Sequence, residues 1–147
     1  MHAIHSPRSS LLSARIVYAT LAMATIVLGL AVHLRGHFLG VTLQDVIGDA
    51  LWAAMIAWWV AAVVPAASVP HRSVAALAIC FSVEFSQLYH APVLDALRRT
   101  PAGQLTLGSG FDPRDLLAYT LGVLATVFAE VVRRRLSSPR NAQGECP

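Results

Sequence analysis

The sequence predicts an all-α fold: an integral membrane bundle of four transmembrane helices with a short interfacial helix between helices 3 and 4. Its 147 residues are 56% hydrophobic and only 13% charged, which is too apolar for a soluble domain of this size. A bilayer core of roughly 30 Å requires about 20 apolar residues per helix. Four segments approach that length, and they cover residues 14–34, 46–64, 73–89 and 116–132. The connections between them are too short to form a separate soluble domain.

Helix 1 is predicted to be a retained transmembrane helix. Arg8 and Arg15 precede its apolar run, as basic residues do in a secretory signal peptide. However, the run is longer than the roughly 7 to 15 apolar residues of a signal peptide, and it ends without a small-x-small cleavage site. The polar segments 1–13 and 136–147 are predicted to be disordered cytoplasmic tails that flank a membrane domain at 14–135.

Helices 2 and 3 each carry an acidic residue within or beside an apolar run. Thr42 and Asp45 have the spacing of a capping box, which predicts that they cap the start of helix 2. Asp49 lies one turn further in, where a charge is costly unless it meets a partner or water. Glu84 lies near the end of helix 3 and shares a helix face with Gln87. Asp49, Glu84 and Gln87 are therefore candidate site residues.

The connection between helices 3 and 4 is predicted to contain a short amphipathic helix. Residues 92–99 combine an apolar side with a polar side that includes Arg98 and Arg99, so this helix is expected in the membrane interface on the outer side. The apolar residues among the glycines at 105–111 predict a loop that dips into the edge of the bilayer. Irregular backbone at that depth requires protein or water beside it.

Helix 4 is predicted to begin after Asp112, with this aspartate as its cap and Pro113 at the first helical position. Asp115, Tyr119 and Gly122 follow at spacings of four and three residues, which places them on one helix face. This pattern predicts that the Asp115 carboxylate and the Tyr119 phenol point into the bundle across a glycine contact.

The distribution of arginine predicts the topology. Four helices place both termini on one side, and that side receives seven of the eleven basic residues, all of them arginine. The excess predicts a multi-pass protein of the cytoplasmic membrane with both termini in the cytoplasm. The run 133–135 either anchors the end of helix 4 at the headgroups or binds anionic lipid. Glu130 is interpreted as a surface partner of Arg133 and Arg134.

In this topology Asp49, Glu84 and Asp115 all lie in the outer half of the bundle. Three carboxylates so placed cannot all be ionised without nearby cations, so either arginine pairs with them or at least one carries a proton. The sequence therefore predicts a polar pocket at the outer face. Its candidate binding residues are Asp49, Glu84, Gln87, Arg98, Arg99, Asp115 and Tyr119.

These residues resemble two families of membrane proteins. The E-x-x-Q, R and D-x-x-x-N-x-x-G pattern of VanZ-like proteins resembles Glu84-x-x-Gln87, an arginine and Asp115-x-x-x-Tyr119-x-x-Gly122, with tyrosine where that pattern has asparagine. A closer resemblance, to the bacterial domain-of-unknown-function family 2809, covers nearly the whole chain. It rests on Gly48-Asp49-Ala50-Leu51, Glu84-x-x-Gln87-Leu88-Tyr89, Leu97-Arg98-x-Thr100 and Leu107-Gly108-x-x-Phe111. This resemblance implies a small four-helix protein of the bacterial inner membrane, with no established activity.

Three functional interpretations follow from the predicted pocket. It recognises a lipid headgroup or a lipid-linked cell-envelope intermediate, for which arginines, acids and a glutamine above an apolar floor are suitable groups. Alternatively, the acid and arginine network only holds the bundle of a non-catalytic structural or accessory protein. The third interpretation is a proton or ion pathway, although the acids cluster at one depth and no relay follows before Glu130.

An enzyme of this kind would use Glu84 or Asp115 as a general base. The sequence contains no nucleophile elbow, metal cluster or phosphate-binding loop, so enzymatic activity is not favoured. We expect membrane lipid as a partner, a possible homodimer through small-residue helix faces, and no cofactor, metal or nucleic acid.

Overall fold

A computed structural model describes residues 7–107 and 110–137, and all regular structure within these ranges is helical. The all-α prediction is confirmed. The elements are α1 (Pro7–Arg35), a 3-10 turn η1 (Gly36–Leu39), α2 (Val41–Val63), α3 (Val69–Ser86), α4 (Pro92–Arg98), α5 (Pro101–Leu107) and α6 (Pro113–Ser137).

Three of the helices are long and apolar enough to cross a membrane, which is the pattern of a multi-pass membrane protein. The spans are Ser9–Arg35 in α1, Val41–Val63 in α2 and Pro113–Leu136 in α6. Their outward faces carry large apolar side chains, such as Val27 at 65% and Phe128 at 71% exposure. Surfaces of this kind suit lipid better than water.

The predicted third spanning segment corresponds to α3, which does not meet the same criterion of length and apolar character. Its 18 residues include His71, Arg72 and Glu84, and these polar side chains lower its average hydropathy. The described residues therefore form an all-helical architecture with three candidate membrane spans.

Helix α2 is the centre of the bundle and packs against α1, α3 and α6. It runs antiparallel to α1, because contacts join opposite ends of the two helices. The Arg15 guanidinium donates to the Val63 carbonyl at 3.4 Å, and the Gln44 amide donates to the His33 carbonyl at 2.9 Å. The second contact also satisfies a carbonyl at the C-terminus of α1, where intrahelical donors are missing.

Helices α3 and α6 are also antiparallel, and the contacts at their two ends define the two ends of the bundle. At one, Arg72 forms an ion pair with Glu130 at 2.8 Å. At the other, the Glu84 carboxylate accepts a hydrogen bond from the Asp112 backbone N–H at 2.8 Å. We call these the Arg72 end and the Glu84 end. Helix α1 begins and α6 ends at the Arg72 end.

Small side chains form the interior. The cluster beside α6 contains Ala53, Ala57, Ala76, Cys80, Tyr119 and Val123. At Gly122, any Cβ atom would overlap the backbone carbonyl of Ala50, so α2 and α6 approach each other closely here. Small residues allow such approach between helices. The predicted glycine contact on the face that includes Tyr119 is confirmed.

The predicted capping box at the start of α2 is wrong. Helix α2 begins at Val41 after Gly40, whose φ of 78° is a left-handed conformation suited to glycine. No side chain caps this helix, and Thr42 lies inside its first turn. The glycine turn sets the helix start, and Gln44 instead reaches back to the carbonyl groups of α1.

Several helix bounds differ from those predicted. Helix α1 begins at Pro7 rather than residue 14, so residues 7–13 are helical, and α6 continues to Ser137. Helix α3 begins earlier because Ser68 caps it and proline occupies one of its first two positions. The rest of the predicted tails, residues 1–6 and 138–147, lies outside the described residues.

The connection between α3 and α6 is more helical than predicted. The expected helix at 92–99 is present as α4, but 101–107 forms a second helix, α5, rather than the start of a loop. Proline at its first position favours this helix, and the Thr100 hydroxyl accepts a hydrogen bond from the Gly103 N–H at 3.0 Å.

The close approach at Gly122 gives a direct test of the packing. Gly122→Ala places a methyl group against the Ala50 carbonyl, so we expect the free energy of unfolding to fall by about 1–3 kcal/mol through overpacking. Gly48→Ala is the matched control on α2, because no atom of the described residues lies within 4 Å of its new Cβ. Thermal unfolding in detergent measures both variants. Equal midpoints for the two would contradict the packing described here.

Candidate functional site

The carboxylate of Glu84 is fully buried, with 0% exposure, and its hydrogen-bond partners come from α3 and from the start of α6. Its Oε1 atom accepts from the Asp112 backbone N–H at 2.8 Å. Its Oε2 atom accepts from the Tyr119 hydroxyl at 2.9 Å and from the Gln87 amide at 3.2 Å. Neutral donors therefore surround this acid, and each of its oxygens has at least one partner.

The local sequence around Asp112 explains how the start of α6 supplies a donor. The Asp112 side chain accepts a hydrogen bond from the Arg114 N–H at 2.9 Å, and Pro113 occupies the first helical position. The predicted aspartate cap is therefore confirmed. Because the Asp112 N–H precedes the helix, it has no intrahelical acceptor and is available to Glu84.

Tyr119 is held in place by α2 as well as by Glu84. Its ring lies 5.5 Å from that of Trp52, at an interplanar angle of 46°, and its exposure is only 5%. Aromatic pairs prefer such tilted arrangements. The phenol is thus fixed between Trp52 on α2 and Glu84 on α3, and it links α2, α3 and α6 at this end.

Asp49 and Asp115 form a second acidic feature, which we call the aspartate pair. The two side chains are partly buried and lie within reach of a side-chain hydrogen bond to each other, with Asp45 and Glu84 close enough to add to the negative potential. Two carboxyl groups in this position need a shared proton or a cation between them. Among the side chains that the structure describes, no arginine or histidine forms an ion pair with either aspartate.

One alternative from the sequence was that an arginine pairs with these acids. Arg98 is not that arginine. It is only 7% exposed, and its guanidinium donates to the Ser86 carbonyl at 2.7 Å and the Tyr89 carbonyl at 3.0 Å. Ser86 is the last residue of α3, and Tyr89 lies three residues beyond it. Arg98 thus fastens α4 to the end of α3. The neighbouring Arg99 is exposed.

Two polar atoms of the Glu84 end are buried without a hydrogen-bond partner among the described residues: Gln87 Oε1 and Arg98 Nε. Gln87 is only 4% exposed. Its amide nitrogen donates to Glu84, whereas its amide oxygen has no partner among the described residues. No group of three or more histidine, cysteine, aspartate or glutamate side chains is placed to hold a metal ion in the part of the chain that the structure describes.

A second polar cluster lies at the Arg72 end, which we call the Arg72 cluster. Glu130 is only 4% exposed. It accepts from Arg72 at 2.8 Å, Arg134 at 2.6 Å and the Tyr18 hydroxyl at 2.9 Å. Arg133 lies 3.9 Å from the same oxygen. The predicted pairing of Glu130 with Arg134 is confirmed, but its description as a surface residue is wrong because α1 and α3 cover it.

Sequence reasoning missed Arg72 and Tyr18 as members of this cluster. Arg72 follows a short proline-containing turn and contributed only to the charge count, while Tyr18 is a single aromatic residue in an apolar run. Their partner Glu130 is 58 and 112 residues away along the chain. The only usable signal was an arginine inside a helix, which requires a partner in a membrane bundle.

Comparison with known proteins gives one family match. The family described as "Protein of unknown function (DUF2809)" matches residues 39–123, which is more than half of the chain. The predicted resemblance to family 2809 is therefore confirmed, but the match does not include α1, which the predicted resemblance covered. The match includes Glu84, its three hydrogen-bond partners and the aspartate pair, whereas Tyr18 and Glu130 lie outside it. No solved structure matches the chain.

The hydrogen bonds to Glu84 predict a large effect when the acceptor is removed. Glu84→Met leaves three donors at this site without their acceptor, and each unsatisfied buried group costs about 1–3 kcal/mol. We expect loss of most folded protein, measured by size-exclusion chromatography and thermal unfolding in detergent. Glu84→Gln is the control, because it keeps one carbonyl acceptor and should be milder. Wild-type stability in Glu84→Met would contradict the structural role of the carboxylate.

Proposed function

This chain belongs to the family of proteins of unknown function DUF2809, and we propose that it recognises an amine-bearing lipid headgroup or lipid-linked envelope intermediate at the outer face of a bacterial cytoplasmic membrane. The observation that supports this proposal is the aspartate pair. Asp49 and Asp115 lie side by side, are partly exposed, and form no ion pair with another described residue.

The difference between Glu84 and the aspartate pair decides which acids face the ligand. Three donors of the protein already occupy the Glu84 oxygens, so this acid has little capacity left for a ligand. The aspartate pair has no such set of donors. An ammonium group carries the missing positive charge and donates up to three hydrogen bonds, each shorter and stronger than a neutral one.

The arginines of this end give the proposal a second part. Arg98 already donates to two backbone carbonyl groups, so it is not available to a ligand. Arg99, which follows α4, and Arg114, near the start of α6, are exposed and available. A phospholipid headgroup that carries both an ammonium and a phosphate matches such a surface, since arginine binds phosphate well. We therefore favour a zwitterionic ligand over a purely anionic one.

The proposal includes a membrane crossing by α3, with α4 and α5 in the outer interface and both termini in the cytoplasm. The polar residues of α3 have partners inside the bundle: Arg72 pairs with Glu130, and Glu84 accepts three hydrogen bonds. Charged groups with such partners are tolerated in membrane helices. The start of α1 and the end of α6 share one end of the bundle, and the arginine excess favours the cytoplasm for that end.

A purely structural function is the second candidate, and the saturation of Glu84 is the observation that favours it. If the aspartate pair only shares a proton between α2 and α6, the Glu84 end needs no ligand. A proton pathway has less support, because Ala53, Ala57, Ala76 and Val123 separate the two polar clusters. Association into a homodimer through small-residue faces is compatible with either candidate.

Cysteine labelling tests the proposed topology. Thr106 in α5 is exposed at the Glu84 end, so Thr106→Cys should react with a membrane-impermeant maleimide added to intact cells. Ser10→Cys, near the start of α1, should react only after the membrane is permeabilised. Both variants are made with Cys80 and Cys146 replaced by serine. Reaction of Ser10→Cys alone in intact cells would reverse the orientation and remove the outer site.

Lipid binding tests the proposed ligand class. Wild-type protein in neutral detergent should bind phosphatidylethanolamine more tightly than phosphatidylglycerol in native mass spectrometry. Asp49→Asn/Asp115→Asn should remain folded and lose about 10- to 100-fold in phosphatidylethanolamine affinity, as expected for one charge-assisted hydrogen bond of about 1.5–3 kcal/mol.

Asp45→Asn is the comparison variant: it removes an exposed charge at the same end that only adds to the negative potential of the aspartate pair, so it should weaken phosphatidylethanolamine binding far less than the double variant does. Unfolding of the double variant would favour the structural candidate. A folded double variant that binds phosphatidylethanolamine as tightly as the wild type would rule out the aspartate pair as the recognition site.

A further inference from the structure

The Arg72 guanidinium has more donors than the protein satisfies. Arg72 is only 4% exposed, and its Nη2 atom donates to Glu130 at 2.8 Å. Its Nε and Nη1 atoms are buried and have no hydrogen-bond partner among the described residues. Buried donors of a charged group normally have an acceptor. We therefore expect a ligand or a water molecule that accepts hydrogen bonds beside this guanidinium.

A small crevice, with room for about one water molecule, lies beside Arg72. It is formed where the end of α2 meets the start of α3 and the last third of α6, with Trp58 and Val69 on its apolar walls and Arg72 and Glu130 on its polar side. Val69 is the first residue of α3. The start of this 18-residue helix also places the positive end of the helix dipole at this point.

The charges around the crevice favour an anion. Glu130 is the single acid of the Arg72 cluster, and it faces Arg72, Arg133 and Arg134. The side chains of Arg133 and Arg134 are 46% and 59% exposed, so they line the way to bulk solvent or headgroups. One carboxylate therefore meets three guanidinium groups, and the cluster carries an uncompensated positive charge.

We propose that a phosphate group, carried by a membrane lipid or present as inorganic phosphate, binds at the mouth of the crevice beside Arg72, with one phosphate oxygen entering the crevice as the acceptor for Arg72 Nε and Nη1. The phosphate oxygens supply the acceptors that the buried guanidinium lacks, and Arg133 and Arg134 attract the anion to the opening. This site is separate from the aspartate pair, which lies at the other end of the bundle and has the opposite charge.

Binding to the full-length protein in neutral detergent tests this site. Thermal unfolding is followed during titration with phosphatidylglycerol, with diacylglycerol of the same acyl chains, and with inorganic phosphate. We expect phosphatidylglycerol to stabilise the protein at concentrations at least tenfold below those at which diacylglycerol does.

Stabilisation by inorganic phosphate as well would identify the free anion as a sufficient ligand, whereas stabilisation by phosphatidylglycerol alone would identify a lipid site. Equal effects of phosphatidylglycerol and diacylglycerol, with none from inorganic phosphate, would show that water satisfies Arg72 and would overturn the proposal.

Two variants connect the binding to Arg72 and to the crevice. Arg72→Lys keeps the charge opposite Glu130 but removes the Nε and Nη1 donors, and Val69→Phe fills the crevice without changing any charge. Each should weaken phosphate-dependent binding at least tenfold. Arg135→Gln is the control, because this exposed arginine lies at the same end and forms no contact with Glu130 among the described ion pairs. If Arg72→Lys does not fold, Val69→Phe alone decides, and wild-type binding by Val69→Phe would overturn the proposal.

Discussion

Burial of the Glu84 carboxylate constrains how α3 and α6 meet at one end of the bundle. An ionisable group with no exposure must have partners, because an unsatisfied charge in this position would cost more than most single interactions contribute. Its partners come from the cap of α6, from Tyr119 in the second turn of that helix, and from Gln87 at the end of α3. The cap, the inward tyrosine and the fixed end of α3 are therefore parts of one arrangement.

The same bundle keeps its polar groups in two separate layers. Close contact between α2 and α6 at Gly122, and alanines along α2, leave little room for polar side chains in the middle. Polar groups collect where the helices end, and the two collections differ in sign. At the Glu84 end, Asp49, Glu84 and Asp115 form no ion pair with a described arginine, while the Arg72 cluster has three arginines around Glu130. The two proposed ligands, an ammonium and a phosphate, follow from this difference.

Much of this architecture could be predicted from the sequence, because apolar length and helix-start signals are local. The helical fold, the Asp112 cap and the inward face of Tyr119 required no knowledge of distant partners. The capping box at Thr42 failed because Gly40, through its left-handed conformation, set the helix start first. The role of Arg98 also could not be predicted, because it depends on tertiary contacts. Sequence position alone does not reveal whether a guanidinium contacts a carboxylate or backbone carbonyl groups near a helix end. Glu130 was misjudged for the same reason: its partners Tyr18 and Arg72 come from other helices.

The central claim is that Glu84 holds the bundle while the aspartate pair beside it faces a ligand. Photocrosslinking tests this claim most directly, using a phosphatidylethanolamine that carries a diazirine next to the headgroup amine, with the adducts mapped by mass spectrometry of the full-length protein. The account predicts adducts concentrated on the first turns of α2 and α6, around Asp49 and Asp115, that excess unlabelled phosphatidylethanolamine suppresses. Adducts spread over exposed apolar residues such as Leu121 and Phe128, with no enrichment near the aspartate pair and no competition, would contradict it.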